Sequence, residues 1–274
     1  MSLPAFIRGP AALLHSFFLS RNLWFALTRR EVAARYRGSL LGILWSFITP
    51  LILIATYTLV FVFFFKNQWS KDHTQPGYFI IMLFCGLIPF NFFSEVISRS
   101  PSLILSFPNY VKRISFPVHL LPAVIVGSSL FHMLMALLIL IPGIYAVNGS
   151  IPPTILYLPL VWIPFVLFTL AMSLLLSGMG VFLRDLNHAV GLVLNMLFFL
   201  SPIFYPAALV PEKWRIMLWL NPVACAVLQM RDVCVQGRPL NLEMWGWQIF
   251  GSFLFLFLVA GWFRMVNRRF ADVM

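Results

Sequence analysis

Charged side chains are scarce in this sequence. They make up 10% of its 274 residues, against roughly a quarter in a soluble domain, while 61% of the residues are hydrophobic and the mean hydropathy is +0.92. So little charge cannot cover a water-exposed surface, and a soluble globular domain is excluded. Acids are scarcer than bases, with 8 Asp and Glu against 19 Lys and Arg. No GxxxxGK[ST] phosphate loop occurs, so the chain does not hydrolyse ATP by that route. HExxH and paired catalytic carboxylates are missing, and the five histidines are scattered, which leaves enzymatic chemistry without a foothold. No removable targeting segment is evident, because "SRNLW" follows the apolar run "AALLHSFFL" where small residues would be needed for cleavage. Of the three cysteines, Cys225 and Cys234 fall on one side and could pair in an oxidising compartment, but buried unpaired thiols are the expectation.

What is present is apolar length. Six stretches are long enough to cross a bilayer: about 39–65, 78–98, 118–146, 155–182, 189–209 and 246–264. All are expected to be helices, since lipid leaves no partner for an open backbone group and the alternation of a barrel strand is missing. The fold class is therefore an all-α membrane protein with six spans, the first of which must tilt or kink at Pro50.

The cations are unevenly placed. Thirteen lie on the side of the N-terminal arm, the second and fourth connections and the tail: Arg8, Arg21, Arg29, Arg30, Arg35, Arg37, Arg99, Lys112, Arg113, Arg184, Arg264, Arg268 and Arg269. Six lie on the other: Lys66, Lys71, Lys213, Arg215, Arg231 and Arg238. By the positive-inside rule both termini face the cytoplasm. The net charge of +11 is thus a topology signal, and nucleic acid is not an expected partner. Residues 12–36 read as an imperfect amphipathic helix on the membrane, with Leu13, Phe17, Trp24 and Leu27 recurring at near-helical spacing and arginines placed to reach lipid phosphates.

Two connections are neither loop nor span. "SRSPSLILSFPNYVKRISFP" (98–117) carries Leu103, Ile104, Leu105 and Phe107 between Pro101 and Pro108, followed by Lys112 and Arg113. A short helix on the membrane face with exposed apolar side chains needs a partner, either lipid or a soluble protein. In 202–246, the short helical patterns "EKWRIMLWL" and "VACAVLQMRDVCV" flank Asn221-Pro222 and read as re-entrant or interfacial helices. Pro202 and Pro206 in "SPIFYP" break the fifth span, marking either a pathway mouth or a structural cap.

Ionisable groups within spans are few. Glu95 stands four residues before Arg99, the favourable order for a helical ion pair. His132, near the centre of a span, has Ser128 and Ser129 one turn away, and a hydrogen-bonded packing contact is expected over a proton relay. Thr169, Ser173 and Ser177 form one polar stripe, which either lets helices approach closely or walls a polar path. A self-sufficient pump is excluded, so the energy source belongs on another polypeptide.

"RREVAARYRGSLLGILWSFITPLILIATYTLVF" (29–61) resembles the start of the membrane subunits of ABC-2 type exporters for lipid-linked polysaccharides, which serve O antigen, capsule and teichoic acid export. The resemblance continues in order through "GLIPFNFFSEVISRSPSLI", "VKRISFPVHLLP", "FLRDLNHAV", "SPIFYP", "NPVA" and "MRDV". It implies a cytoplasmic amphipathic arm over 1–38 and a six-helix transmembrane domain over 39–274. It further implies a homodimer in the inner membrane, two copies of a separate ATPase that holds ATP and Mg, and no cofactor or metal in this chain. The coupling helix that docks on the ATPase maps to about 100–113, with Pro101, Leu103, Ile104, Leu105, Phe107, Pro108, Tyr110, Lys112 and Arg113, and so favours a protein partner there. The outer gate maps to about 211–235. Arg29, Arg30, Arg35 and Arg37 then stand where the pyrophosphate of an undecaprenyl-linked glycan would approach, while membrane lipids offer the same arginines an alternative partner. Tyr57, Pro202, Tyr205, Pro206, Trp214 and Trp219 are the candidate gate and channel residues, with O antigen the first cargo considered and capsule, teichoic acid, a drug or a simple lipid, or a gradient-driven carrier using His132, as the alternatives.

Overall fold

The computed structural model describes residues 19–64, 76–111, 116–183, 185–267 and 270. Among them every regular element is helical. The helices are α1 (Arg21–Tyr36), α2 (Trp45–Thr58), α3 (Pro76–Arg99), α4 (Leu120–Asn148), α5 (Leu158–Gly180), α6 (Leu186–Leu200), α7 (Arg215–Leu220), α8 (Pro222–Arg231) and α9 (Leu242–Asn267). A 3-10 turn, Gly42–Leu44, leads into α2, which continues as a π-helix over Leu59–Phe64. Leu13, Phe17, Lys66, Lys71, Lys112, Arg113, Arg184, Arg268 and Arg269 lie outside the described residues.

Five units are long and apolar enough to cross a bilayer: Gly42–Phe64, Gly77–Arg99, Leu120–Asn148, Pro153–Gly180 and Leu242–Asn267. Each falls on an expected stretch. The stretch expected over 189–209 differs, because its helix α6 has 15 residues, roughly 22 Å at 1.5 Å per residue, short of a hydrocarbon core of about 30 Å. The cause is local. Pro202 pushes the residue before it out of the helical region, and Ser201 is extended, at φ −84° and ψ 141°.

α3 is the axis of the bundle. Met82, Leu83, Cys85 and Val96 are buried along it, and α4, α5 and α8 pack against it, with α9 lying along α5. α2 contributes one buried side chain, Ser46, and exposes Leu51 and Ile52, while α6 exposes Leu192, Met196 and Phe199. The three cysteines are buried and free.

At the end of the bundle that carries α1, the chain leaves α3 at Arg99 and turns through Ser100 to Phe107 on short backbone bonds. Leu103 N–H donates to Ser100 O (3.2 Å), Ser106 N–H to Ser102 O (3.0 Å) and Phe107 N–H to Ile104 O (3.2 Å). A single helical turn, Pro108–Val111, follows. The turns are seated on α5. Ser100 Oγ donates to Val96 O (2.7 Å) and shares a hydrogen bond with Ser173 Oγ (2.7 Å). Gly180 leaves space for the Pro101 carbonyl, whose oxygen would lie 1.9 Å from a Cβ at that position. The polar stripe of α5 is therefore a packing surface: Thr169, Ser173 and Ser177 are buried, and Thr169 and Ser177 return their hydroxyls to Phe165 O and Leu174 O.

Gly180→Ala is expected to lower the melting temperature of the purified protein by several degrees, in line with overpacking costs of about 1–3 kcal/mol. Gly191→Ala, made where no atom lies within 4 Å of the added carbon, serves as the control. Equal melting of the two variants would remove the close contact between α5 and the turns.

Candidate functional site

The α1 end carries a cluster of five charged or titratable side chains. Arg35 of α1 pairs with Glu95 of α3. His132 Nδ1 of α4 lies 3.1 Å from both Glu95 carboxylate oxygens and 3.0 Å from Arg35 Nη1. Arg99 Nη1 is 4.0 Å from Glu95, and Arg99 is paired with Glu31 of α1. The expected Glu95–Arg99 pair is thus the looser contact, because folding brings α1 alongside and supplies each partner with a nearer counter-ion. His132 likewise turns to Glu95, whereas Ser128 Oγ donates to Ile125 O and Ser129 Oγ is buried with no partner among the described residues. Burial raises the Tyr36 phenol, opposed by Arg35 and helped by Glu95. Burial also pushes the His119 imidazole, just before α4, down to about 4.

The cluster borders a cavity of about 520 Å³ between α1, α2, α3 and α4. Arg35, Ser39, Ser46, Glu95 and His132 line its polar part, and Leu53, Phe84, Ile88, Phe92 and Met133 its apolar part. α1 is anchored beside it: Trp24 Nε1 donates to Ala123 O (2.9 Å), so the tryptophan expected to face lipid faces α4 instead. Arg30 lies over the Tyr110 ring at 5.7 Å. Arg29 and Arg37 are exposed. In the turns after α3, Pro101, Leu103 and Ile104 are buried, Phe107 and Tyr110 are half-buried, and Leu105, Ser106 and Pro108 are exposed.

At the opposite end a second constellation pins the break after α6. Arg231, buried at 2% exposure, donates Nε to Met82 O of α3 (2.9 Å), Nη2 to Ile203 O (2.7 Å) and Nη1 to Pro202 O. Gly86 makes the room: a Cβ there would sit 3.0 Å from Arg231 Nη2 and 3.1 Å from Ile203 Cα. Asn221 closes the other side. Its Nδ2 donates to Ser201 Oγ (3.0 Å), and its Oδ1 caps α8 by accepting from Val223 N and Ala224 N. Among the described residues, no three His, Cys, Asp or Glu side chains gather to hold a metal ion.

The ABC-2 type transporter family profile matches residues 22–235, from the start of α1 to just beyond Arg231. The chain belongs to that family. This ABC-2 protein is 29% identical over 235 residues to the O-antigen export system permease protein RfbA of Myxococcus xanthus, covering 84% of this chain and 87% of that one. It is 27% identical over 255 residues to the O-antigen export system permease protein RfbA of Klebsiella pneumoniae, covering 92% and 95%. It is 25% identical over 215 residues to the polysialic acid transport protein KpsM of Escherichia coli, covering 77% and 81%.

The other expected gate residues of this ABC-2 protein are spread over the far end. Tyr57 sits in an aromatic cluster with Phe198 (6.4 Å) and Phe204 (5.5 Å). Tyr205 OH donates to Phe199 O (3.3 Å) at the end of α6. Pro202 is buried and Pro206 half-buried, while Trp214 and Trp219 are exposed. Arg231, Asn221, Gly86 and Glu31 carry contacts that sequence reasoning did not assign to them. For Arg231 a signal existed, as an arginine inside "VACAVLQMRDVCV", which is apolar apart from it, Gln229 and Asp232, since a cation held at such a place must find acceptors.

A double-mutant cycle with Arg35→Gln and Glu95→Gln is expected to give a coupling of about 0.5–1 kcal/mol in thermal unfolding, discounted for the half-exposed arginine, and to shrink as salt rises. Zero coupling would remove the Arg35–Glu95 pair from the ties between α1 and α3, leaving Glu31–Arg99.

Proposed function

We propose that this chain is the membrane subunit of an ATP-driven exporter that carries undecaprenyl-pyrophosphate-linked polysaccharide, O antigen first, from the cytoplasmic to the outer side of the inner membrane. The observation that carries the proposal is the similarity to two O-antigen permeases along nearly the full length of each. Capsule polysaccharide is the second reading. It is favoured by the weaker similarity to KpsM and to the capsule polysaccharide export inner-membrane protein CtrC of Neisseria meningitidis, 22% identical over 216 residues.

On this proposal, α6 with the segment up to residue 209 is the fifth of six spans, α7 and α8 are re-entrant gate helices, and both termini face the cytoplasm. The working unit is two copies of this chain with two copies of an ATPase that binds ATP and Mg. The apolar faces of α2 and α6, exposed in the single chain, are the surfaces a second copy would cover. Residues 100–113 meet the ATPase, with Leu105, Ser106 and Pro108 outermost and Leu103 and Ile104 rooting the segment in the core.

Closure of the ATPase pair would press on this segment. α3 runs from it, at Arg99, to Met82, about 25 Å at 1.5 Å per residue, and Met82 O is bound to the arginine that also binds Pro202 and Ile203. Displacement at one end therefore has a buried helix and a shared guanidinium through which to reach the break at the other. Arg29, Arg30, Arg35 and Arg37 present planar donors to the substrate pyrophosphate. Tyr57, Tyr205, Trp214 and Trp219 offer flat faces to sugar rings at the gate.

In cells that lack this chain, undecaprenyl-linked glycan is expected to accumulate on the cytoplasmic face, and re-expression is expected to clear it only when the ATPase is present. New drug sensitivity with no glycan accumulation would contradict the proposal.

A further inference from the structure

We propose that the cavity between α1, α2, α3 and α4 is a sugar site: Thr49, Asn91 and Ser129 bind hydroxyls of the sugar that is joined to the substrate's pyrophosphate. The inference rests on the reading above that Arg35 meets that pyrophosphate, and it adds the group recognised next to it.

Beyond the charged cluster the cavity wall is neutral without being apolar. Asn91 stands four residues before Glu95 on α3 and so shares its face, about 6 Å farther from the Arg99 end at 1.5 Å per residue. It is exposed although it lies within "PFNFF". A polar side chain kept at such a place in a span faces the bundle interior or a watery cavity, and Asn91 lines this one. Thr49 lines it from α2, one turn beyond Ser46. Ser46 is already engaged, its Oγ donating to Ile43 O (2.7 Å), whereas the side chains of Thr49 and Asn91 have no hydrogen-bond partner among the described residues. Ser129 completes the wall from α4. It is wholly buried, at 0% exposure, and its Oγ has no partner among the described residues. A buried polar group calls for a partner, and for Ser129 the chain itself does not supply one.

The chemistry of these groups selects the ligand. A threonine or serine hydroxyl and an asparagine amide each donate and accept, and none carries charge. A phosphate oxygen only accepts, and a prenyl or acyl chain does neither, so a lipid tail would leave the wall desolvated and unpaired. A sugar hydroxyl donates and accepts in its turn and fits all three. Tyr36 and Trp45 also line the cavity and offer flat apolar faces to the C–H side of a sugar ring. The volume of about 520 Å³ lies in the range of small-molecule sites. With the phosphate at Arg35 and the sugar inside, the prenyl tail has an apolar way out to the bilayer along Leu40, Leu41, Ile43 and Leu44, which are exposed between α1 and α2.

The test is calorimetry on the full chain in phosphatidylcholine nanodiscs with two ligands of equal charge, the glucosyl ester and the methyl ester of farnesyl pyrophosphate. The wild type is expected to bind the glucosyl ester at least about tenfold more tightly. Asn91→Leu and Thr49→Val should each remove about threefold to tenfold of that preference and keep the affinity for the methyl ester, while Thr49→Ser should keep the preference. Arg35→Gln should weaken both ligands by the same factor. Equal binding of the two esters by the wild type would leave the wall to water and overturn the sugar site. A preference that survives in the Asn91→Leu, Thr49→Val double variant would overturn it too, as would loss of both ligands from that variant. Disappearance of the preference when phosphatidylglycerol is added to the nanodiscs would reassign the wall to hydroxylated lipid head groups. Unchanged methyl-ester binding in Arg35→Gln would instead overturn the phosphate reading itself, and binding of neither ester by the wild type would overturn both.

Discussion

A backbone carbonyl that leaves a helix inside an apolar bundle must find a donor, and the Arg231 guanidinium supplies donors to three carbonyls at once. Two belong to the break after α6 and one to the first half of α3. Lipid offers these groups nothing in exchange, so the carbonyls freed by the break at Pro202 are satisfied by the arginine that α8 brings to them. α8 is set in turn by Asn221, which caps its first turn and reaches Ser201 on the break itself. The stretches "SPIFYP", "NPVA" and "MRDV", separated in the chain, are thereby parts of one joint. The turn region after α3 obeys the same rule by other means, with short backbone bonds, the Ser100–Ser173 contact and a carbonyl laid against Gly180.

Between the two breaks lies α3, the one element common to both constellations. Its Arg99 end is tied to α1 through Glu31 and Glu95, and its Met82 carbonyl is tied to Arg231. The cationic arm is therefore not a free layer of arginines on the membrane. Glu95 of α3 pairs with the arm's Arg35 and the arm's Glu31 pairs with Arg99 of α3, while Arg29 and Arg37 are exposed.

Much of the fold was legible because it follows from apolar length. Five of the six expected spans coincide with long helices, and the Thr169, Ser173 and Ser177 stripe packs helices as small hydroxylated residues do. Over 189–209 the helix stops at Leu200, because the backbone restriction that Pro202 imposes on Ser201 ends it while the apolar content runs on. The charged cluster was only half legible. Spacing along one helix reveals an i, i+4 pair, but it is blind to α1 arriving from 60 residues away, and the nearer partner wins. Arg231 was counted among loop cations because a tally of positive charges treats a pinned arginine and a solvated one alike. Leu103 and Ile104 point inward because the turns, which are not a regular helix, roll that side onto the core.

The most direct test of the joint at Arg231 is hydrogen exchange by mass spectrometry on the full chain in nanodiscs, comparing wild type with Arg231→Lys. Lysine keeps the charge but, as a point donor, cannot span three carbonyls in a plane. Arg231→Lys is expected to exchange faster at Ile203, Phe204 and Tyr205, with protection across the centres of α4 and α5 unchanged. Identical exchange over 203–205 in the two proteins would contradict it.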